Sequence, residues 1–562
     1  MKAAALWLRS RLDRSPEGGY VAVMTALLLT VFIGLSAFAV DVGNWYLVGQ
    51  QEQRAADAAA MAGVTSLPSN ADVAFATARN YSKINGFEHN VNSTTVINTL
   101  DGRPTRLKTT VNRTVKNFFG SLLGVPTTTI SRSAVADYAG PVPMGSPCNR
   151  FGNNPDAGAT DAPACSGVLG GFWASVNAPA ALKANGDPYQ GNVCGSSSPA
   201  PGNVDGCTTT SGPNIDYATS GYYYTVSVKA PPPTTLKIEL FDPVFVNQGL
   251  QCDESSMSRA HEATNPIVTD AATRYNFGSD NPPGSPRPYC TGDATLGGIA
   301  MKTQFTVRSP GTSSWDPSTF LPVTGCQKIY PGFSGDNREM LDSNRSLYDV
   351  NLVTPFRRWV TLCTINNPVA GDYLIQVNTN GLGTETSTAT NHFSMRATGS
   401  VAGDLAKLSI AGREKMGIYA NKPGVTTEFH LARVPSSAAG QTLKVRLFDV
   451  GDSAAGGASG TINIVKPPDA VNSSDFTNCT AVRSTNPAVT LPTCSLTNVT
   501  SSTHNGKWQS ISVPIPANYS CTDTNDANCW VRLRYVYGSS TNPNDVTAWT
   551  ANIEGDPVRL VE

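Results

Sequence analysis

The sequence predicts a mainly β protein: an N-terminal transmembrane helix and a small α+β unit, followed by two tandem antiparallel β-sandwiches of jelly-roll-like type. Three observations carry this expectation. A single uninterrupted apolar run lies near the N-terminus. Short alternating segments separated by turn residues fill most of the remaining chain. One seven-residue pattern occurs twice, at an offset of 207 residues.

The apolar run comes first. No charged residue stands between Gly18 and Val40, and Tyr20–Val40 is nearly all apolar. About 20 such residues cross a hydrocarbon core as a helix. Lys2, Arg9, Arg11 and Arg14 precede the run, against Asp13 and Glu17. That bias keeps residues 1–19 in the cytoplasm and exports the rest, so the expectation is a single-pass protein of a bacterial cytoplasmic membrane with its bulk extracytoplasmic. A signal peptide cleaved after Ala39 is the alternative, because Ala37-Phe38-Ala39 has the spacing of a cleavage site. The run is long for that role, and helix-forming residues continue through 44–62 without proline. Ala55, Ala58, Ala59 and Ala62 fall at helical spacing, and Gly63 reads as a stop. A helix from Tyr20 to Ala62 would be about 65 Å long.

The cysteines agree with export. All twelve, Cys148, Cys165, Cys194, Cys207, Cys252, Cys290, Cys326, Cys363, Cys479, Cys494, Cys521 and Cys529, come after the run. An even count on one side of an apolar segment is what an oxidising compartment produces. No Cys-x-x-Cys occurs, which excludes a zinc ribbon or thioredoxin-type pair. Pairing of sequence neighbours is the simplest scheme, although spacing alone leaves the connectivity open.

Residues 41–138 read as a helical extension and a small α+β unit. A second helix is expected at 71–85, ending at Gly86, with strands at Val91–Leu100, Arg106–Val111 and Thr127–Ala136 and a short helix at 114–123. A Gly/Pro-rich linker comes next, at 139–147. From there the helical signal fades, and short strands divide between one sandwich at 148–402 and a second at 403–562. The repeat supports that division: Leu236-Lys237-Ile238-Glu239-Leu240-Phe241-Asp242 matches Leu443-Lys444-Val445-Arg446-Leu447-Phe448-Asp449. The first copy carries Cys- and Pro-rich insertions at about 184–216 and 250–298, expected as surface loops.

Three blocks in the N-terminal quarter resemble a known family. Gly18-Gly19-Tyr20-Val21-Ala22-Val23 opens the apolar run and Ala39-Val40-Asp41-Val42-Gly43 closes it; Gln53-Arg54-Ala55-Ala56-Asp57-Ala58-Ala59-Ala60-Met61-Ala62-Gly63 lies beyond. These blocks are similar to the TadE/TadG-like proteins of Flp pilus assembly, the tight-adherence system. Phe118-Phe119-Gly120, leading to Ala134-Val135-Ala136, fits the same pattern. The resemblance marks Asp41, Gly43, Gln53, Ala56, Asp57, Ala58 and Gly63 as family positions, and implies partners among Flp pilus-assembly proteins, reached through the N-terminal helix. It does not extend to a prepilin-peptidase site, because Glu17 precedes the apolar run and no Glu lies inside it. Nor does it bring a von Willebrand A-type metal site: the nearest run, Asp342-Ser343-Asn344-Arg345-Ser346, has Asn at its third position.

No catalytic constellation is legible, and the chain is expected not to be an enzyme. Gly-x-Ser-x-Gly, His-Glu-x-x-His and a phosphate-binding loop are absent, and only five histidines occur, widely scattered. A net charge of −1 offers no polyanion surface, so no nucleic-acid partner is expected. No cofactor is implied. The weak Ca²⁺ candidates are Asp187, Asp449, Asp452 and Asp556, although Asp beside Gly is more often a turn residue. Exposed aromatics, Tyr222-Tyr223-Tyr224 and Trp530, Tyr535 and Tyr537, could bind a sugar, with core packing the better reading. The function expected is a membrane-anchored structural or accessory envelope protein whose sandwiches serve for spacing or adhesion. The alternative is a cell-surface carbohydrate- or protein-binding receptor unrelated to pili.

Overall fold

A computed structural model describes residues 17–67, 71–100, 103–138, 141–155, 161–165, 171–195, 203–209, 212–247, 289–295, 300–314, 316–333, 340, 346–382, 386–420, 426–451, 459–471, 475–537, 545–554 and 558–560. Most of the second insertion, Cys252, Asp452, Asp556 and most of the run at 342–346 lie outside them, as do residues 1–16.

The chain is mainly β, with antiparallel ladders and one long N-terminal helix. Helix α1 spans Glu17–Val64 and helix α2 Ala71–Ile84. Strands β1 (Thr94–Leu100), β2 (Arg103–Lys116) and β3 (Thr127–Tyr138) form an antiparallel meander against one face of α1. The expected helix at 114–123 is not there. Thr114, Val115 and Lys116 continue the β2 ladder opposite Thr129, Thr128 and Thr127, leaving only a 3₁₀ turn at Gly120–Leu123. A stretch so rich in β-branched residues suits a paired strand better than an isolated helical turn. We call this unit the collar.

Beyond it lies the head. Its first half contains β4 (Pro143–Gly145), β5 (Phe172–Asn177), β6 (Tyr222–Val228), β7 (Thr235–Phe241), β8 (Thr303–Arg308), β9 (Pro322–Tyr330), β10 (Trp359–Asn366), β11 (Gly371–Asn378) and β12 (Ala389–Thr398). The second contains β13 (Leu408–Arg413), β14 (Lys415–Ala420), β15 (Thr426–Arg433), β16 (Thr442–Phe448), β17 (Gly460–Val465) and β18 (Cys479–Arg483). It continues with β19 (Val489–Leu491), β20 (Ser495–Val499), β21 (Trp508–Pro514), β22 (Trp530–Val536) and β23 (Asp545–Glu554). Shorter bridging pairs are left unnumbered.

These strands form two layers. One runs β10–β7–β12–β5–β14–β23–β16–β21–β18–β19. The other runs β9–β8–β11–β6–β13–β4–β15–β22–β17–β20. Alternation decides which side chains face inward: along β6, Tyr222, Tyr224, Val226 and Val228 are buried while Tyr223, Thr225 and Ser227 are half-exposed. Between the layers Phe305 meets Phe393 edge-on at 4.9 Å and Phe429 meets Trp549 at 5.3 Å.

The two halves correspond strand for strand. In the first layer β10–β7–β12–β5 answers to β21–β16–β23–β14; in the second β8–β11–β6–β13 answers to β17–β22–β15–β4. The order exposes an exchange. β4 opens the first half in sequence yet pairs with β15 of the second, and β13 opens the second half yet pairs with β6 of the first. β4 and β13 then pair with each other, Met144 opposite Gly412. Residues 143–145, within the stretch read as linker, are therefore a structural strand.

A further strand, β24 (Val558–Leu560), leaves the head altogether. It adds antiparallel to β3, with Leu560 opposite Ala136 and Val558 opposite Tyr138. The collar sheet is thus β1–β2–β3–β24, and the head is inserted between its last two strands. The residues read as the end of the second sandwich complete the collar instead.

Candidate functional site: the collar around the N-terminal helix

Every large apolar side chain from Tyr20 to Val40 is exposed, and this segment is long and apolar enough to cross a membrane. Within it the Thr30 hydroxyl bonds back to the Leu27 carbonyl at 2.7 Å, as a helix in an apolar medium requires. One residue past Val40 the environment changes. Asp41 is buried, and its carboxylate accepts the backbone N–H groups of Phe118 (2.7 Å), Phe119 (3.0 Å) and Gly120 (2.7 Å). Charge-assisted bonds of this kind are about twice as strong as neutral ones. One turn on, Trp45 Nε1 donates to Asn117 Oδ1 at 2.8 Å, and Asn117 Nδ2 donates to Val125 O and Thr128 Oγ1. The β2–β3 hairpin is thereby fixed in height against the helix.

Higher on α1 the contacts are apolar. Ala55, Ala56, Ala59 and Ala60 are fully buried against a core that includes Leu107, Val111, Ala134 and Ala136 of the sheet and Ala74 and Ala78 of α2. The buried stripe is therefore broader than the one expected, and Ala58 and Ala62 lie half-exposed at its margin. Gln53 Nε2 donates to Asp57 Oδ1 at 2.8 Å and to Ser133 O at 3.2 Å, tying both family positions to β3. Gly43 faces open space.

Gly63 does not end the helix by a left-handed turn. α1 runs through it to Val64, and a Cβ there would meet Leu107 Cδ2 at 2.6 Å, Ala74 O at 2.7 Å and Ala78 Cβ at 2.8 Å. Close approach of α1, α2 and β2 explains the glycine.

Glu52 gives no signal in the sequence. It sits two turns above the Trp45 level on the buried face, and neither carboxylate oxygen has a hydrogen-bond partner among the described residues. Burial pushes its pKa up to about 7, against the pull of Arg132 and Arg113.

The candidates in the head that lie among the described residues are spoken for. Asp187 is buried; its carboxylate takes the N–H groups of Asn177, Tyr189 and Gln190 and the hydroxyl of Tyr222. That set of donors meets the lone pairs a calcium ion would need. Asp449 is buried at the end of β16 and accepts the Gly506 N–H. Asp469 lies beside Cys521 and Cys529, but those sulfurs are joined to each other, and the Asp469 carboxylate takes the N–H groups of Thr522 and Cys529. Disulfides also join Cys148–Cys165, Cys194–Cys207, Cys326–Cys363 and Cys479–Cys494. Cys290 is bonded as well.

Tyr222, Tyr224, Trp530, Tyr535 and Tyr537 are all buried and belong to the core. His392 stacks on Tyr419 at 4.4 Å, and burial lowers its pKa to about 3; His430 and His504 are lowered to about 4 for the same reason. A cavity of about 420 Å³ opens where the halves join, lined by Ser220, Tyr223, Arg413, Glu414, Lys415 and Asn552.

An apolar helix gripped by its own α+β collar, beneath a disulfide-containing β head, defines a protein with one candidate membrane span among the described residues and a large folded region on one side of it. Residues 19–66 match the family model described as "Putative Flp pilus-assembly TadE/G-like". The match covers the apolar run, Asp41 and the Ala stripe, and ends just past Gly63. Neither a curated protein nor a solved structure matches the chain.

Proposed function

We propose that this chain is a membrane-anchored, extracytoplasmic accessory protein of the bacterial envelope that works with the Flp pilus-assembly machinery. Tyr20–Val40 crosses the cytoplasmic membrane with the N-terminus inside, and the head serves as a spacer or adhesion module without catalytic chemistry. The observation that carries the reading is the passage, along the helix that matches the pilus-assembly family model, from an exposed apolar run to residues clamped by the collar. The disulfides, all on one side of that run, support the orientation. Burial of His392 and His504, with His430 half-buried, supports the non-catalytic part.

Two measurements test it. Alkaline phosphatase fused after residue 141 should be active and a cytosolic reporter at the same site silent; the reverse overturns the topology. Photo-crosslinkers on the outward face of α1, at Leu28 and Leu35, should capture membrane components of the pilus machinery. Pili assembled normally in cells lacking the chain would sink the pilus connection.

A second reading, a surface receptor for a glycan or protein, is favoured by the cavity beside Tyr223 and Arg413. Glycan-array binding that persists without the pilus genes and is lost in Tyr223→Ala would select it.

A further inference from the structure

We propose that the tip of the β2–β3 hairpin, Phe118–Val125, is a second membrane contact, immersed in the interfacial layer of the bilayer that α1 crosses. The inference rests on the anchoring read for Tyr20–Val40 and adds a site to it.

Height comes first. Asp41, one residue past the apolar run, holds the N–H groups of Phe118, Phe119 and Gly120. The hairpin legs lie farther along the helix: Gly49 faces the Arg132 guanidinium, and Gln53 reaches Ser133 O. From residue 41 to 53 the helix rises about 18 Å. The legs thus run away from the apolar run and the tip faces it, level with the end of the candidate span.

Composition and exposure agree. Asn117 to Pro126 contains no charged residue. Phe118, Phe119, Leu122 and Val125 are 65%, 40%, 82% and 52% exposed, and Leu122 is the most exposed large apolar side chain among the described residues. Four such groups on one turn are unusual on a surface that meets only water.

The backbone is prepared for a dry environment. Besides the three N–H groups on Asp41, Leu122 N donates to Phe119 O, Gly124 N to Ser121 O and Val125 N to Gly120 O. Asn117 Nδ2 covers Val125 O, and the Ser121 hydroxyl bonds to Asn117 O. A turn entering the acyl boundary must satisfy its polar groups internally, and this one largely does. Around it stand groups that favour the headgroup layer: Tyr46, exposed on α1, and Lys116 at the foot of β2, also exposed.

The test uses the full chain with its disulfides intact, in vesicles of phosphatidylethanolamine and phosphatidylglycerol. An environment-sensitive fluorophore is attached at Leu122→Cys, at Leu28→Cys in the apolar run, or at Val489→Cys in the head. Nitroxide-labelled lipids then report depth. The Leu122 probe should emit at shorter wavelength than the Val489 probe and lose emission mainly to the shallow nitroxide, while the Leu28 probe loses it to the deep one. Quenching at Leu28 with a water-like, unquenched probe at Leu122 overturns the inference and leaves the anchor standing. A shifted but unquenched Leu122 probe means a protein covers the tip, which also overturns it. Absence of quenching at Leu28 overturns the anchor and the inference together.

Discussion

Asp242 and Asp449 hold the same place in the two halves of the head. Each comes directly after a strand, β7 or β16, in the left-handed region, at φ 52° and 63°. Each donates its N–H to a carbonyl, Arg358 at 3.2 Å and Lys507 at 3.0 Å. Each takes on its carboxylate the N–H of the residue before that carbonyl, Arg357 or Gly506, which is itself left-handed. A joint reproduced at this level of detail is strong support for internal duplication.

Replacing Asp242 by Ala should cost about 1–3 kcal/mol for the stranded Arg357 N–H, and a further 1–2 kcal/mol or so for a left-handed Ala. Asp242→Asn keeps an acceptor and tolerates the backbone, so it should lose less. Denaturant unfolding gives the order. Equal losses for the two variants would show that the carboxylate does not organise the joint.

Gly63→Ala should destabilise the collar. The new methyl meets backbone and side chain inside 3 Å, and overpacking costs about 1–3 kcal/mol, more than the roughly 1 kcal/mol that Ala adds to an exposed helix. Gly63→Val should be worse. Thermal unfolding in micelles reads both, and an unchanged midpoint for the pair would mean the interface is looser than described.

Glu52 makes stability depend on pH with a sign opposite to that of an ordinary paired carboxylate. Its pKa is raised from 4.5 to about 7, so the folded state favours the protonated form. The stability that the group allows is complete below pH 4.5, falls as pH rises toward 7, and stays low above. Glu52→Gln should therefore raise the midpoint at about pH 8 and leave it unchanged at about pH 4.5 or below. The same gain at both values would contradict a buried, titrating carboxyl.

Loss of the Asp41 clamp should be read locally. In Asp41→Ala the N–H groups of Phe118, Phe119 and Gly120 lose their acceptor, and hydrogen exchange over 117–126 should accelerate, with Asp41→Asn intermediate. Exchange in the head, at Thr442–Phe448 for example, should not change. Protection at 118–120 that survives in Asp41→Ala would show that something else holds the tip.

Much of the architecture is legible because single strands carry their own signal. Thr94–Leu100 and Thr127–Tyr138 match to within three residues the strands expected at Val91–Leu100 and Thr127–Ala136, since alternation and flanking turn residues are local properties. Pro143–Gly145 and Val558–Leu560 are not legible in this way. Three residues cannot display a period, and each becomes a strand only because a distant partner offers a free edge. Edge strands such as Pro322–Tyr330 and Ser495–Val499 escape detection for a related reason: each buries a single residue, so it carries little apolar alternation. The exchange of β4 and β13 is hidden too, because both halves repeat one pattern and either partner satisfies it. In the collar, Asp41 and Gly63 stand out by family resemblance, but their roles depend on groups far away in sequence. Asp41 meets Phe118 across 77 positions. Glu52 looks like one more polar residue of a helix until the sheet covers it.

The return of β24 to the collar alters how the molecule would carry a mechanical load. Because β3 leaves the collar and β24 comes back beside it, a tug on the head reaches helix α1 along two lines of polypeptide. The ladder between Ala136–Tyr138 and Val558–Leu560 acts as a clasp between them. Tension must open that clasp before the head hangs from a single thread.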